Sequence, residues 1–83
     1  MRLSSNFWNK LFNKVEVGVW VRVQGKGKPT PVWCHDGWIG RVRLKGENRR
    51  GIFWDIRFRK SDNPQMNERV VFMTFRGEDL EVI

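Results

Sequence analysis

The hydrophobic period of this chain changes at Val17 from three-and-four to two, and no single secondary-structure element can run through such a change. Before it, residues 4–15 place Phe7, Trp8, Leu11, Phe12 and Val15 at helical spacings, behind Ser4 and Ser5, residue types suited to helix N-caps. The spacing predicts a short amphipathic helix. A helix of this length is marginal alone, so it needs a surface to lie on. It can act as a lid that closes the end of the domain, or as an element that meets a partner or a membrane surface through its apolar stripe, with Lys10 and Lys14 beside it.

After Val17 the pattern is that of short strands separated by turn chemistry. Val17, Val19, Val21 and Val23 alternate with Gly18, Trp20, Arg22 and Gln24, as in a strand with one face buried. Residues 24–31 carry two glycines and two prolines and read as a loop. A second strand spans 37–44, with Trp38, Val42 and Leu44 on the buried parity, Arg41 and Arg43 on the other, and Gly40 marking a bend or bulge. Residues 45–51 read as a turn. In the third strand, 52–58, Ile52, Trp54, Ile56 and Phe58 alternate with Phe53, Asp55 and Arg57. A loop over 61–67 contains Asp62-Asn63-Pro64, and the fourth strand, 69–75, puts Val71, Met73 and Phe75 on one face. After Gly77-Glu78-Asp79, residues 80–83 close the set as a fifth strand. The fold class expected is mainly β: a five-stranded SH3-like barrel over residues 17–83, preceded by the helical segment 1–16 that packs on the barrel or extends from it.

Charge is concentrated in one part of this pattern. Residues 41–60 hold eight cations, Arg41, Arg43, Lys45, Arg49, Arg50, Arg57, Arg59 and Lys60, against Glu47 and Asp55. Eight against two leaves a local +6, nearly the whole formal +7 of the chain. A charge set by one hairpin points to a surface that attracts a polyanion or an acidic protein face, whereas a merely solvated face more often mixes the signs. Arg outnumbers Lys six to two there, which suits planar, bidentate recognition of phosphate or carboxylate. Phe53 shares parity with Asp55 and Arg57, and Trp20 with Arg22, so both rings belong with the outer face. Trp20 and Trp33 are candidates for an aromatic surface. Trp38 and Trp54 share parity with aliphatic residues and belong to the core.

Little in the sequence points to catalysis. Cys34, His35 and Asp36 are adjacent, and neighbours on a strand point alternately to opposite faces, so they do not converge as a relay requires. Cys34 reads instead as a small buried hydrophobe, and His35 as a loop or edge residue. One Cys and one His do not make a four-ligand zinc site, nothing calls for a cofactor, and Gly25-Lys26-Gly27-Lys28 lacks the Ser or Thr and the helix of a phosphate-binding loop. The single cysteine fits a reducing, cytoplasmic setting, and no apolar run approaches the roughly 20 residues that span a bilayer.

The run Val32-Trp33-Cys34-His35-Asp36-Gly37-Trp38-Ile39-Gly40-Arg41-Val42 resembles the Tudor-type hairpin, where a Trp precedes an Asp-Gly turn. The opening segment, 17–23, and the closing segment, 74–83, are similar to those of SH3-like barrels, including the variable chain of ferredoxin-thioredoxin reductase. A Tudor-like domain would imply an aromatic cage near Trp33, Trp38, Phe53 and Trp54 that holds a methylated cation. The chain has no Tyr, and its +7 charge would repel such a peptide. The photosynthetic type of barrel would imply a basic docking surface for an acidic protein. Two functions are therefore expected. One is a non-catalytic module that binds DNA or RNA, with Arg41, Arg43, Arg57 and Arg59 on phosphates, Lys45, Arg49 and Arg50 reaching from the hairpin tip, Lys60 at its base, and Phe53 stacking. The other is an adaptor, inhibitor or accessory subunit that docks an acidic protein through the same residues.

Overall fold

The computed structural model describes residues 5–83. It contains one helix, α1 (Ser5–Phe12), and five strands, β1 (Trp20–Val23), β2 (Ile39–Asn48), β3 (Gly51–Arg59), β4 (Val70–Phe75) and β5 (Leu80–Val82). Single 3-10 turns occupy Trp33–His35 and Gly77–Asp79. All pairings are antiparallel, in the order β4-β3-β2-β1-β5, so the chain is mainly β with a short N-terminal helix. Ser4, expected as a helix cap, lies outside the described residues.

The connection from β4 to β5 makes this sheet curl. A flat sheet would put these outer strands four spacings apart, about 19 Å. Only Arg76 and the 3-10 turn separate Phe75 from Leu80. At about 2.0 Å rise per 3-10 residue, that link falls well short of the flat-sheet distance. The sheet therefore wraps around its inner face, as in a small barrel.

That inner face holds Val19, Val21 and Val23 from the first alternating segment, then Val42, Trp54, Ile56, Phe58, Phe75, Leu80 and Val82. Met66, in the loop after β3, joins them as a buried residue. Trp38, half-buried, meets Phe58 edge-on at 5.5 Å between centroids, and Phe58 meets Phe75 in the same way at 5.9 Å. Such edge-to-face pairs are favourable beyond their area, and they fix one side of the core. Val17 is exposed, because β1 begins only at Trp20 and the chain turns through Gly18 at φ 95°.

Three local expectations change. Gly40 is not a bulge: it pairs in regular register with Val21 and Phe58. It is a close-approach position instead, since an added Cβ would sit 2.6 Å from Ile56 Cγ2 and 2.7 Å from the Arg57 carbonyl. The bulge lies between Val42 and Leu44, so the strand gains a residue at Arg43 and its parity inverts. Leu44 consequently turns outward, 52% exposed, opposite Asp55, while Lys45 takes the inward parity opposite Trp54. Lastly, residues 45–48 are not turn but strand, and the hairpin turns only at Arg49-Arg50, between the paired Asn48 and Gly51.

Asparagine side chains stand in for strands at two places. Asn13, at positive φ just after α1, donates from Nδ2 to the Leu80 carbonyl at 3.2 Å and accepts from the Val82 N–H at 2.8 Å. It covers the edge of β5 that β1 leaves open. Asn63, 1% exposed, accepts from the Ile39 N–H at 2.6 Å and donates to the Ile39 carbonyl at 2.7 Å and the Arg59 carbonyl at 3.0 Å. Asn9 is buried at the base of the helix and donates to the Lys14 carbonyl. Side-chain hydrogen bonding to Glu16 itself, from Asn9 first and then from Lys14, holds the Glu16 carboxyl below its ordinary pKa. The apolar stripe of α1 does not enter the core as a lid would: Phe7, Trp8, Leu11 and Phe12 are 46–69% exposed, and Trp8 stacks on Phe12 at 5.9 Å. No helix among the described residues is long and apolar enough to cross a membrane.

Candidate functional site

Side chains directly opposite each other on antiparallel strands share a face, so the register assembles the site. Trp20 pairs with Arg41, Arg41 with Arg57, and Arg57 with Phe72. One row of ring, guanidinium, guanidinium and ring therefore crosses β1, β2, β3 and β4 on the outer face. At about 4.8 Å per strand, this row is about 14 Å long. Asp55 is the single acid at outward positions of β2, β3 and β4.

The four arginines of this face fall into two kinds. Arg43 forms an ion pair with Asp55 at 3.2 Å and lies 4.7 Å above the Phe72 ring. Arg59 is bound through Nε to Asp62 at 3.1 Å and lies 5.7 Å from the Trp20 ring. Their charges are matched, and each guanidinium lies within cation–π reach of an aromatic ring. Arg41 and Arg57 have no carboxylate partner among the described residues. Arg41 only donates from Nε to the Gly18 carbonyl at 3.1 Å, an oxygen presented by the positive-φ turn before β1. With Val17, Gly18, Val42 and Arg43, these two arginines line a hollow of about 280 Å³. Like charges directly opposite each other disfavour the strand pair, so this arrangement is costly to the fold and favourable to an arriving anion.

The other expected residues are distributed around this face. Lys45, inverted by the bulge, lies 5.8 Å from the Trp54 ring, away from the row. Arg49 and Arg50 are exposed at the hairpin tip, and Lys60 is exposed beside Arg59 and Arg69 in a second basic hollow. Phe53 is on the outer face as expected, but it is only half-exposed and the Arg76 guanidinium lies 5.2 Å from its ring. Trp33 is exposed in the 3-10 turn, where its Nε1 donates to the Thr30 hydroxyl at 2.5 Å. Cys34 is exposed in that same turn, not buried, because residues 33–35 are not a strand. His35 donates from Nδ1 to the Pro31 carbonyl at 2.7 Å and packs edge-on against Trp38, so it is a structural residue of the loop.

Trp33, Trp38, Phe53 and Trp54 do not gather into a cage. Phe53 and Trp54 occupy opposite faces of β3, Trp38 packs on Phe58, and no ring contact among the described residues joins the four. The ring that sequence reasoning passed over is Phe72, 52% exposed. Its signal was present: Val71, Met73 and Phe75 claim the inward parity of β4, which leaves an aromatic residue pointing outward beside arginines. Comparison with protein families, with curated proteins and with solved structures finds no match to this chain.

Proposed function

We propose that the protein is a non-catalytic binding module of SH3-like barrel type that takes nucleic acid on its outer, arginine-bearing face. The observation that carries this is the pairing of Arg41 with Arg57, two arginines in direct cross-strand register that line one hollow and have no carboxylate partner among the described residues. A phosphate oxygen set against both would relieve their repulsion and accept charge-assisted hydrogen bonds. Arg49 and Arg50 at the hairpin tip extend the positive field beyond the sheet. A Tudor-like role is disfavoured by the dispersal of the four cage residues.

A second reading, docking to a protein that is acidic where it meets the hairpin or hydrophobic where it meets the helix, has its own support in the exposed stripe of Phe7, Trp8, Leu11 and Phe12 on α1, an apolar surface that nucleic acid does not need. The two separate in one titration of the protein against labelled DNA and RNA at roughly 50 and 200 mM salt. Nucleic-acid binding is expected to be sub-micromolar at the lower salt and to weaken steeply at the higher. Uniformly weak binding to every nucleic acid would overturn this proposal in favour of an acidic protein partner.

A further inference from the structure

We infer that this face is built for single strands, laid across the β-strands along the row Trp20, Arg41, Arg57, Phe72, with a backbone phosphate between the two arginines and bases stacked on the two rings. The inference rests on the nucleic-acid reading and narrows it.

Three observations support it. First, the unmatched cations are at the centre of the row and the rings at its ends. A duplex presents phosphates to such a face and keeps its bases stacked inside, so outward rings gain nothing from it. An unpaired strand offers both groups at once. Second, each ring has beside it an arginine that is also paired with an acid: Arg43, over Phe72, with Asp55, and Arg59, near Trp20, with Asp62. A guanidinium resting on a ring extends the stacking surface that a base meets, and it adds a cation–π contribution. The acids thus divide the four arginines into two for stacking and two for phosphate. Third, the hollow of about 280 Å³ beside Arg41 and Arg57 is lined otherwise by Val17, Gly18, Val42 and Arg43. Arginines are thus its only polar side chains among the described residues, and since Asp55 matches Arg43, Arg41 and Arg57 are the two left to meet an entering phosphate.

The test compares fluorescence anisotropy of labelled 12-nucleotide oligothymidylate and oligouridylate with that of a 12-base-pair duplex, all at roughly 100 mM salt, for the parent and for Phe72→Leu. Leu keeps the apolar character and removes the π face. The parent is expected to bind single strands at least tenfold more tightly than duplex. Phe72→Leu is expected to weaken single-strand binding about 5- to 150-fold, the range for one lost stack, and to leave duplex binding unchanged. Thermal unfolding checks that the variant is folded, and the comparison of parent affinities decides the matter even if it is not. Equal or tighter duplex binding by the parent overturns the inference while the nucleic-acid reading stands. Unchanged single-strand affinity in folded Phe72→Leu does the same. Failure to bind any of the three probes removes both.

Discussion

Arg41→Glu combined with Arg57→Glu is expected to reduce nucleic-acid affinity at least about 100-fold, since two charge-assisted contacts of about 1.5–3 kcal/mol each are replaced by repulsion. The slope of log Kd against log salt is expected to flatten by about 0.7, the share of the one single-strand phosphate held between the two arginines. Stability should stay within about 0.5 kcal/mol of the parent, because like charges still face each other across β2 and β3. The single substitution Arg57→Glu separates function from stability more sharply. It places an acid opposite Arg41, and a cross-strand pair of opposite sign contributes about 0.2–1 kcal/mol. In a domain of this size that raises the melting temperature by about 1–8 °C. Affinity should fall in the same variant. A variant that melts higher and binds worse identifies a surface that gives up stability for function. If Arg57→Glu bound as well as the parent, the phosphate would not sit between these arginines.

Asn63→Ala is expected to destabilise the fold by about 3–5 kcal/mol, a large share of what a domain of this size has. The side chain is buried and makes three hydrogen bonds, two to the same residue, Ile39. Removing it leaves the Ile39 N–H and the Ile39 carbonyl without the side-chain partner that satisfies both, while the Arg59 carbonyl keeps the Asp62 and Asn63 N–H groups. It also frees the loop that carries Met66 into the core. Urea unfolding should show a lower midpoint with an unchanged slope. Asn63→Asp supplies a contrasting sign. Its carboxylate would face two carbonyls, which raises its folded pKa above the unfolded value of about 3.9 and makes the protonated form the better tolerated one. Its penalty is therefore smallest below about pH 4 and grows as pH rises through the folded pKa. A loss under about 1 kcal/mol in Asn63→Ala would mean that the loop holds without this residue.

Much of the fold could be read from alternation, and the failures have particular causes. Val19, Val21, Val23, Ile56 and Phe58 are buried where period two placed them, and Arg41 and Arg57 are outward for the same reason. The bulge at Arg43 carries no Gly, Asn or Asp to announce it, so alternation puts Leu44 on the buried face and ends the strand before Lys45, which the bulge turns inward. Asn63 lies in an Asp-Asn-Pro run that has the composition of an ordinary turn. Its role depends on Ile39, twenty-four residues away, and no local pattern encodes that distance. The site was half legible: parity located the cations, but Asp55 is brought to Arg43 only by the bulged register, and Asp62, three residues from Arg59, reaches it only through the turn after β3.

The hairpin tip sets how this chain can be divided. Arg49 and Arg50 are exposed in a two-residue turn, open to a protease specific for arginine. A cut there would leave the ladder from Gly40–Phe58 to Asn48–Gly51 in place, so the two pieces would stay paired without a covalent link. Trp20 and Arg41 would then belong to one polypeptide, and Arg57 and Phe72 to the other. Any ligand spanning the row would act as a staple between fragments, and the nicked protein would report its own occupancy through how slowly its halves come apart.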